Sequence, residues 1–153
     1  MADDANFEAD QAHRHFSASC FNLAWELIEK PDRTAEDDEQ MVRLAQASLW
    51  HWTQRSDCTD KNLSIGYWQV SRVYALLDKA DSSRQYAQLC LDKTPADEPF
   101  FLGYVYEAFA RAESIAGNDE KAAGYLKQAR GYAEEVTDLN DKQLLVDDLK
   151  TLE

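Results

Sequence analysis

The stretch FFLGYVYEAFARAESIAGN, residues 100–118, decides the fold of this chain. Its apolar residues recur every three or four positions, which is the spacing of one face of an α-helix. Gly117 follows this run, at the place where the left-handed conformation that ends many helices favours glycine. The sequence therefore predicts a helix that ends near residue 116 and turns into another one, with Asn118 as the cap of the second.

The same periodicity along the rest of the chain predicts seven helices and no strand. The first ends at Lys30-Pro31, because the residue before a proline avoids the helical conformation, and Thr34 is placed to cap the second. Short breaks between long helices make consecutive helices neighbours, mostly antiparallel ones, within a single domain over residues 1–153. The predicted helix pairs cover about 6–56, 61–93 and 97–136, and a last helix covers about 139–152.

The first helix carries more apolar surface than one neighbouring helix would cover. Phe21, Trp25 and Ile28 lie beside its main stripe and widen the apolar arc. A second copy of the chain that covered this arc would give a homodimer through the N-terminal helix pair. The main stripe, which we expect to face inward, consists of Ala9, Ala12, Phe16, Cys20, Leu23 and Leu27.

The motif Trp50-His51-Trp52 lies near the end of the second predicted helix. Residues two apart on a helix point about 200° apart, so the two tryptophans do not share a face. The stripe that ends in Trp52 faces inward, and Trp50 falls among polar residues. Either another helix covers Trp50 or its ring is exposed for recognition, and the sequence leaves both possibilities open. The inward stripe is Val42, Ala45, Leu49 and Trp52.

Two segments of the chain repeat at a distance of 39 residues. A shift of 37 would align two Gly-Tyr pairs, but it would set the apolar Val70 against Glu107. A shift of 39 keeps core positions opposite core positions, and we therefore prefer it. It pairs Tyr67 with Tyr106, Arg72 with Arg111 and Tyr86 with Tyr125.

The second segment resembles the tetratricopeptide repeat, whose pattern it follows in order: Tyr106, Phe109-Ala110, Gly117-Asn118, Ala122, Leu126 and Ala129. In the first segment Asp78 stands where the turn glycine belongs, and residues 6–56 lack the motif. The chain as a whole resembles bacterial tetratricopeptide-like proteins. This resemblance implies an all-α fold in which about three antiparallel helix pairs stack as a short right-handed superhelix with a C-terminal capping helix.

The resemblance also implies a function, since such proteins bind a protein or peptide on the concave face of the stack. We therefore expect a non-enzymatic scaffold. The two aligned arginines favour a partner with an acidic group or a C-terminal carboxylate, unless they pair with carboxylates of adjacent helices. The candidate binding residues are Trp68, Arg72, Tyr104, Glu107 and Arg111, with Trp50 as a separate candidate; the resemblance further places Ile65, Ala75, Leu76, Ser114 and Ile115 on the same face.

No catalytic motif occurs in the sequence, and we expect neither a metal nor a cofactor. His13 and His15 point about 200° apart on their helix, so they do not ligate one ion together. Cys20 and Cys90 fall on predicted core positions. The alternative is a metal-dependent or small-molecule-binding helical bundle resembling the damage-inducible, DinB-like proteins. It would use His13, His51 and nearby carboxylates, but it lacks the convergent histidine pair on one helix.

The charge of the chain limits its partners. A formal net charge of −13 argues against binding to nucleic acid or to an anionic membrane, because both attract Lys and Arg clusters. The 3 cysteines are far apart in the sequence and predict no disulfide framework. No apolar run approaches the ~18 residues of a membrane span. We therefore expect a cytoplasmic protein.

Overall fold

The computed structural model describes residues 2–153, with side chains from residue 8 onward. Over these residues it consists of seven α-helices without a strand, which confirms the predicted all-α class. No helix in the described part of the chain is both long and apolar enough to cross a membrane. The helices are α1 (Ala2–Glu29), α2 (Ala35–Gln54), α3 (Asp60–Leu76), α4 (Ala80–Lys93), α5 (Pro99–Ile115), α6 (Asp119–Glu135) and α7 (Leu139–Lys150).

Local side-chain bonds fix where several helices begin. The Thr34 hydroxyl accepts from the Asp37 amide, and the Asp37 carboxylate accepts from the Thr34 amide, so the predicted cap of α2 is present. Thr59 and Asn62 form the same reciprocal pair at the start of α3. Asn118 occupies the predicted N-cap position of α6, but its side chain makes no capping hydrogen bond. Its side-chain amide instead donates to a carboxylate at the end of α5, at 2.7 Å.

The seven helices form two layers. Consecutive helices pair side by side, as predicted, and the pairs are α1–α2, α3–α4 and α5–α6. In the first layer α1 contacts α3, α3 contacts α5, and α5 contacts α7. The second layer consists of α2, α4 and α6. No Cα atom of one of these helices lies within 8 Å of a Cα atom of another. We call the outer surface of α1, α3, α5 and α7 the odd-helix face.

The backbone confirms the internal repeat. Asp78 has a φ of +56° and Gly117 a φ of +79°. The turns of the α3–α4 and α5–α6 pairs are therefore made by a left-handed residue at the same repeat position, and Asp78 takes the place of the turn glycine. In each turn the amide that follows this residue donates to a carbonyl five positions earlier, at 2.9 Å. Equivalent ring pairs also match, with centroids 6.2 Å apart for Tyr67 and Tyr86 and 6.1 Å apart for Tyr106 and Tyr125.

The predicted inward stripe of α1 is wrong. Phe16 and Leu23 are 45% and 46% exposed, whereas Ser17 and Ala24 are fully buried. The reason is the closeness of α2, since the Ser48 hydroxyl donates to the Ser17 carbonyl at 2.7 Å. Only small side chains fit where two helices approach so closely. The hydrophobic pattern instead selects the large residues one position before the buried ones. The predicted inward face of α1 is therefore rotated by about 100° from the observed one.

The apolar arc that suggested a homodimer is covered by the chain itself. Ile28 is buried in the core, and Trp25 packs edge-on against Trp68 of α3 with ring centroids 5.6 Å apart. From residue 8 onward, the large apolar side chains that α1 exposes are Phe16 and Leu23. A homodimer through the N-terminal pair stays a prediction, and its surface would be these two residues.

Candidate binding site on the odd-helix face

A buried carboxylate, that of Glu107, lies at the centre of the odd-helix face and joins α3 to α5. Its side chain is 1% exposed. The Trp68 indole donates to Oε2 at 2.7 Å, and Arg72 reaches Oε1 at 3.4 Å. Arg111 donates to Oε1 from one turn further along α5. Three residues predicted from the sequence thus converge on a fourth.

Both arginines are engaged by this carboxylate, which is the alternative that the sequence left open. Arg111 also donates to the carbonyl of Asp148 at 3.3 Å and to the Thr151 hydroxyl at 2.6 Å. The Nε of Arg72 is buried without a hydrogen-bond partner in the described structure. Burial, and next the neighbouring charge of Arg111, lowers the pKa of Arg72, which still carries its charge at neutral pH. Two cations therefore share one carboxylate.

Tyr104 ties α5 to the last helix. Its hydroxyl donates to Oδ2 of Asp148 at 2.5 Å. Burial, followed by the hydrogen bond to this carboxylate, raises the pKa of Tyr104. The hydroxyl therefore stays protonated at any physiological pH, and the Tyr104 ring is held in a fixed position.

Next to Glu107, the odd-helix face contains a cavity of about 290 Å³. This volume is near the lower end of the ~300–1,000 Å³ typical of ligand pockets, so it suits a group of side-chain size. We call it the aromatic cavity. It is lined by Trp25, Ser64, Ile65, Trp68, Cys90, Phe100, Phe101, Tyr104, Leu144 and Asp148.

A second cavity, of about 220 Å³, lies where the two arginines meet the end of α7. We call it the arginine cavity. The nominated residues of α3 and α5 divide between the two cavities, except for Glu107, which both arginines and the Trp68 indole contact. The arginine cavity is lined by Arg72, Ala75, Leu76, Arg111, Ser114, Ile115, Thr151 and Leu152.

The sequence missed the lining residues that come from outside the repeated positions. Trp25 belongs to α1, and Leu144 and Asp148 belong to α7, so their arrival depends on tertiary packing. Phe100 and Phe101 begin α5, ahead of the nominated positions. Two adjacent aromatic residues at the start of a predicted helix are a sequence signal from which these two could have been predicted.

Trp50 does not lie with the other candidates. It is 54% exposed, so of the two possibilities left open by the sequence the exposed one is found. Its ring lies edge-on to His13 and His51, at centroid distances of 5.3 and 4.9 Å. Trp52, predicted as a core residue, is only partly buried and carries the Arg55 guanidinium over its ring at 3.9 Å.

The packing of α1 on α2 brings His13 and His51 together. Their Nδ1 atoms lie 2.9 Å apart. One ring nitrogen therefore donates a hydrogen bond and the other accepts it. Within residues 8–153 no three His, Cys, Asp or Glu side chains are grouped closely enough to hold a metal ion. Burial, and next the neighbouring His13, lowers the pKa of His51, so His51 favours the neutral form.

Two of the three cysteine thiols, those of Cys58 and Cys90, have a raised pKa. Burial raises the pKa of Cys90 to about 11, and burial also raises the pKa of Cys58. A thiol with a raised pKa is a poor nucleophile at neutral pH, because the thiolate is the reactive form.

Comparison with known proteins does not place the chain in a family. No family model matches it, and neither a curated protein nor a solved structure shows significant similarity to it.

We expect Glu107→Gln to destabilise the protein by about 2–4 kcal/mol, because a neutral amide leaves two largely buried arginines without their carboxylate. The free energy of unfolding from urea denaturation measures this effect. Glu135→Gln is the matched control, since Glu135 is an exposed helical glutamate. Its stability should change by at most about 0.5 kcal/mol, as is usual for surface substitutions. Equal effects of the two substitutions would contradict a structural role for Glu107.

The His13–His51 pair predicts a pH dependence of stability. Because the pKa of His51 is lowered by folding, the unfolded chain binds more protons there below its ordinary pKa of about 6.5. This contribution to stability is complete above that pH and is lost as the pH falls. The melting temperature of the wild type should therefore drop more between pH 7.5 and 5.5 than that of His51→Gln, and His15→Gln, at an exposed position, should follow the wild type. Parallel curves for all three proteins would refute the prediction.

Proposed function

We propose that this chain is a non-enzymatic scaffold that binds a peptide segment along its odd-helix face. The observation that carries the proposal is the pair of cavities on that face, side by side and joined through Glu107. A peptide in extended conformation advances about 3.3 Å per residue, so a few residues would reach from one cavity to the other.

The layer arrangement supports a concave binding surface. Backbones of the odd-numbered helices contact one another, while those of α2, α4 and α6 stay more than 8 Å apart. A stack whose one layer is tighter than the other curves toward the tighter layer, which puts the odd-helix face on the inside. We therefore propose a short, right-handed tetratricopeptide-like superhelix of three helix pairs, with α7 as its cap.

The two cavities suit different parts of a peptide. In the arginine cavity two cations share a single buried carboxylate, which leaves a surplus positive charge for an acidic group or a C-terminal carboxylate. The aromatic cavity offers large rings that are already held in place, and such rings dominate many interfaces because little side-chain entropy is lost on binding. Affinity would come mainly from the aromatic cavity and orientation from the arginines.

The competing hypothesis of a metal-dependent bundle enzyme rests on the approach of His13 to His51. Catalytic zinc sites have three protein ligands, and two imidazoles alone hold such an ion weakly. The scaffold is the better supported proposal, because most of its candidate binding residues line the two cavities of the odd-helix face.

Two exposed leucines of α7 provide a test of the binding face. Leu144 is 54% exposed and lines the aromatic cavity, whereas Leu139 is 80% exposed and lies outside it. We expect Leu144→Lys to reduce capture of peptides selected from a random library by about tenfold or more, because it puts a positive charge into a mostly apolar site. Leu139→Lys should capture them as the wild type does. Both variants should fold, since neither side chain is buried.

Binding affinities from fluorescence anisotropy of the selected peptides would decide the matter. Equal loss in both variants, or equal retention, would place the peptide elsewhere on the surface. A library that yields no binder to the wild type would remove the proposed function.

A further inference from the structure

The walls of the aromatic cavity stand at steep angles to one another. Adjacent rings meet edge to face rather than stacked, so the rings line the cavity from several directions. An aromatic face carries partial negative charge, and a cation placed among several such faces is stabilised by each of them. The interplanar angles are 74° for Trp25 and Trp68, 74° for Trp68 and Tyr104, 82° for Phe100 and Tyr104, and 87° for Phe100 and Phe101.

One charged residue lines this cavity, and it is an anion. Asp148 brings a carboxylate to the wall, where its Oδ2 accepts the Tyr104 hydroxyl. Its Oδ1 accepts no hydrogen bond from the residues that the structure describes. The other polar lining groups are the Ser64 hydroxyl and the Cys90 thiol, which carry no charge at neutral pH.

The nearby arginines make no direct ion pair with this carboxylate, although its charge does act on Arg72. Arg72 and Arg111 direct their guanidinium groups at Glu107 and line the other cavity. Arg111 reaches Asp148 only at its backbone carbonyl. The side chain of Asp148 therefore faces the aromatic cavity without a cationic partner among the lining residues.

We propose that the aromatic cavity binds an organic cation, namely the alkylammonium or guanidinium group of a lysine or arginine side chain on the bound peptide. Ring faces and a free carboxylate oxygen at one edge are the features that select a cation over a neutral group of the same shape. A cavity of about 290 Å³ accommodates one such side chain. The identity of the carrier as a peptide rests on the proposed function, while the preference for a cation does not.

Charge complementarity supports this choice of occupant. The chain has a formal net charge of −13, which attracts basic segments from a distance. One ring of the cavity already has a cation beside it, since the Lys61 ammonium lies 5.5 Å from the centroid of the Phe101 ring. A segment with a basic side chain near its C-terminal carboxylate would use both cavities.

Choline and its uncharged isostere 3,3-dimethylbutan-1-ol provide the test, because they differ in charge but hardly in shape. We expect choline to bind at least about fivefold more tightly, the ratio that corresponds to about 1 kcal/mol of cation–π stabilisation. Nitrogen-15 NMR of the four tryptophan indoles reads out the site. Signals of Trp25 and Trp68 should shift, and those of Trp50 and Trp52 should stay unchanged as internal references.

Asp148→Asn and Asp147→Asn form a matched pair on α7. The first removes the charge that faces the cavity, and the second removes an exposed charge outside it. We expect Asp148→Asn to weaken choline binding about fivefold while leaving binding of the isostere unchanged. Asp147→Asn should bind choline as the wild type does.

Equal affinity for choline and the isostere, or shifts spread over all four indoles, would overturn the cation site. The same holds if the two asparagine variants behave alike. Failure of the proposed function looks different: choline would still shift Trp25 and Trp68, but no peptide from the library would bind.

Discussion

The buried carboxylate of Glu107 is the constraint on which the odd-helix face depends. A carboxylate that is 1% exposed needs strong donors, and they come from two helices: Trp68 and Arg72 from α3 and Arg111 from α5. Their geometry sets the spacing of α3 and α5. It also fixes the Trp68 ring, so that the same contact that satisfies the buried charge builds one wall of the aromatic cavity. The Glu107 carboxylate therefore contributes both to helix packing and to the proposed binding site.

Much of the fold follows from periodicity and turn chemistry. The internal repeat was visible in the sequence, and its physical content is the left-handed residue that turns each pair, Asp78 in one repeat and Gly117 in the next. The face of α1 was not predictable in the same way. Hydrophobicity favours Phe16 and Leu23, but the close contact with α2 requires small residues such as Ser17. A pattern of apolar positions contains no information about helix separation.

For a similar reason, only part of the candidate site was predictable from the sequence. Residues of α3 and α5 fall at repeated positions, and Glu107 with Arg111 has the spacing of an i, i+4 ion pair, a signal that already pointed to mutual pairing. The contributions of Trp25 and Asp148 come from helices that reach the cavity through tertiary packing alone. The negative charge of the aromatic cavity comes from Asp148, and its position there could not be predicted from the sequence.

Hydrogen exchange of the tryptophan indoles tests the central role of Glu107 most directly. The Trp68 indole donates to a buried carboxylate at 2.7 Å, while Trp50 is 54% exposed in the same molecule. In one sample in heavy water, we predict that the Trp68 indole hydrogen exchanges at least about a hundredfold more slowly than that of Trp50, because exchange requires the buried contact to open. Similar exchange rates for the two indoles would contradict the account.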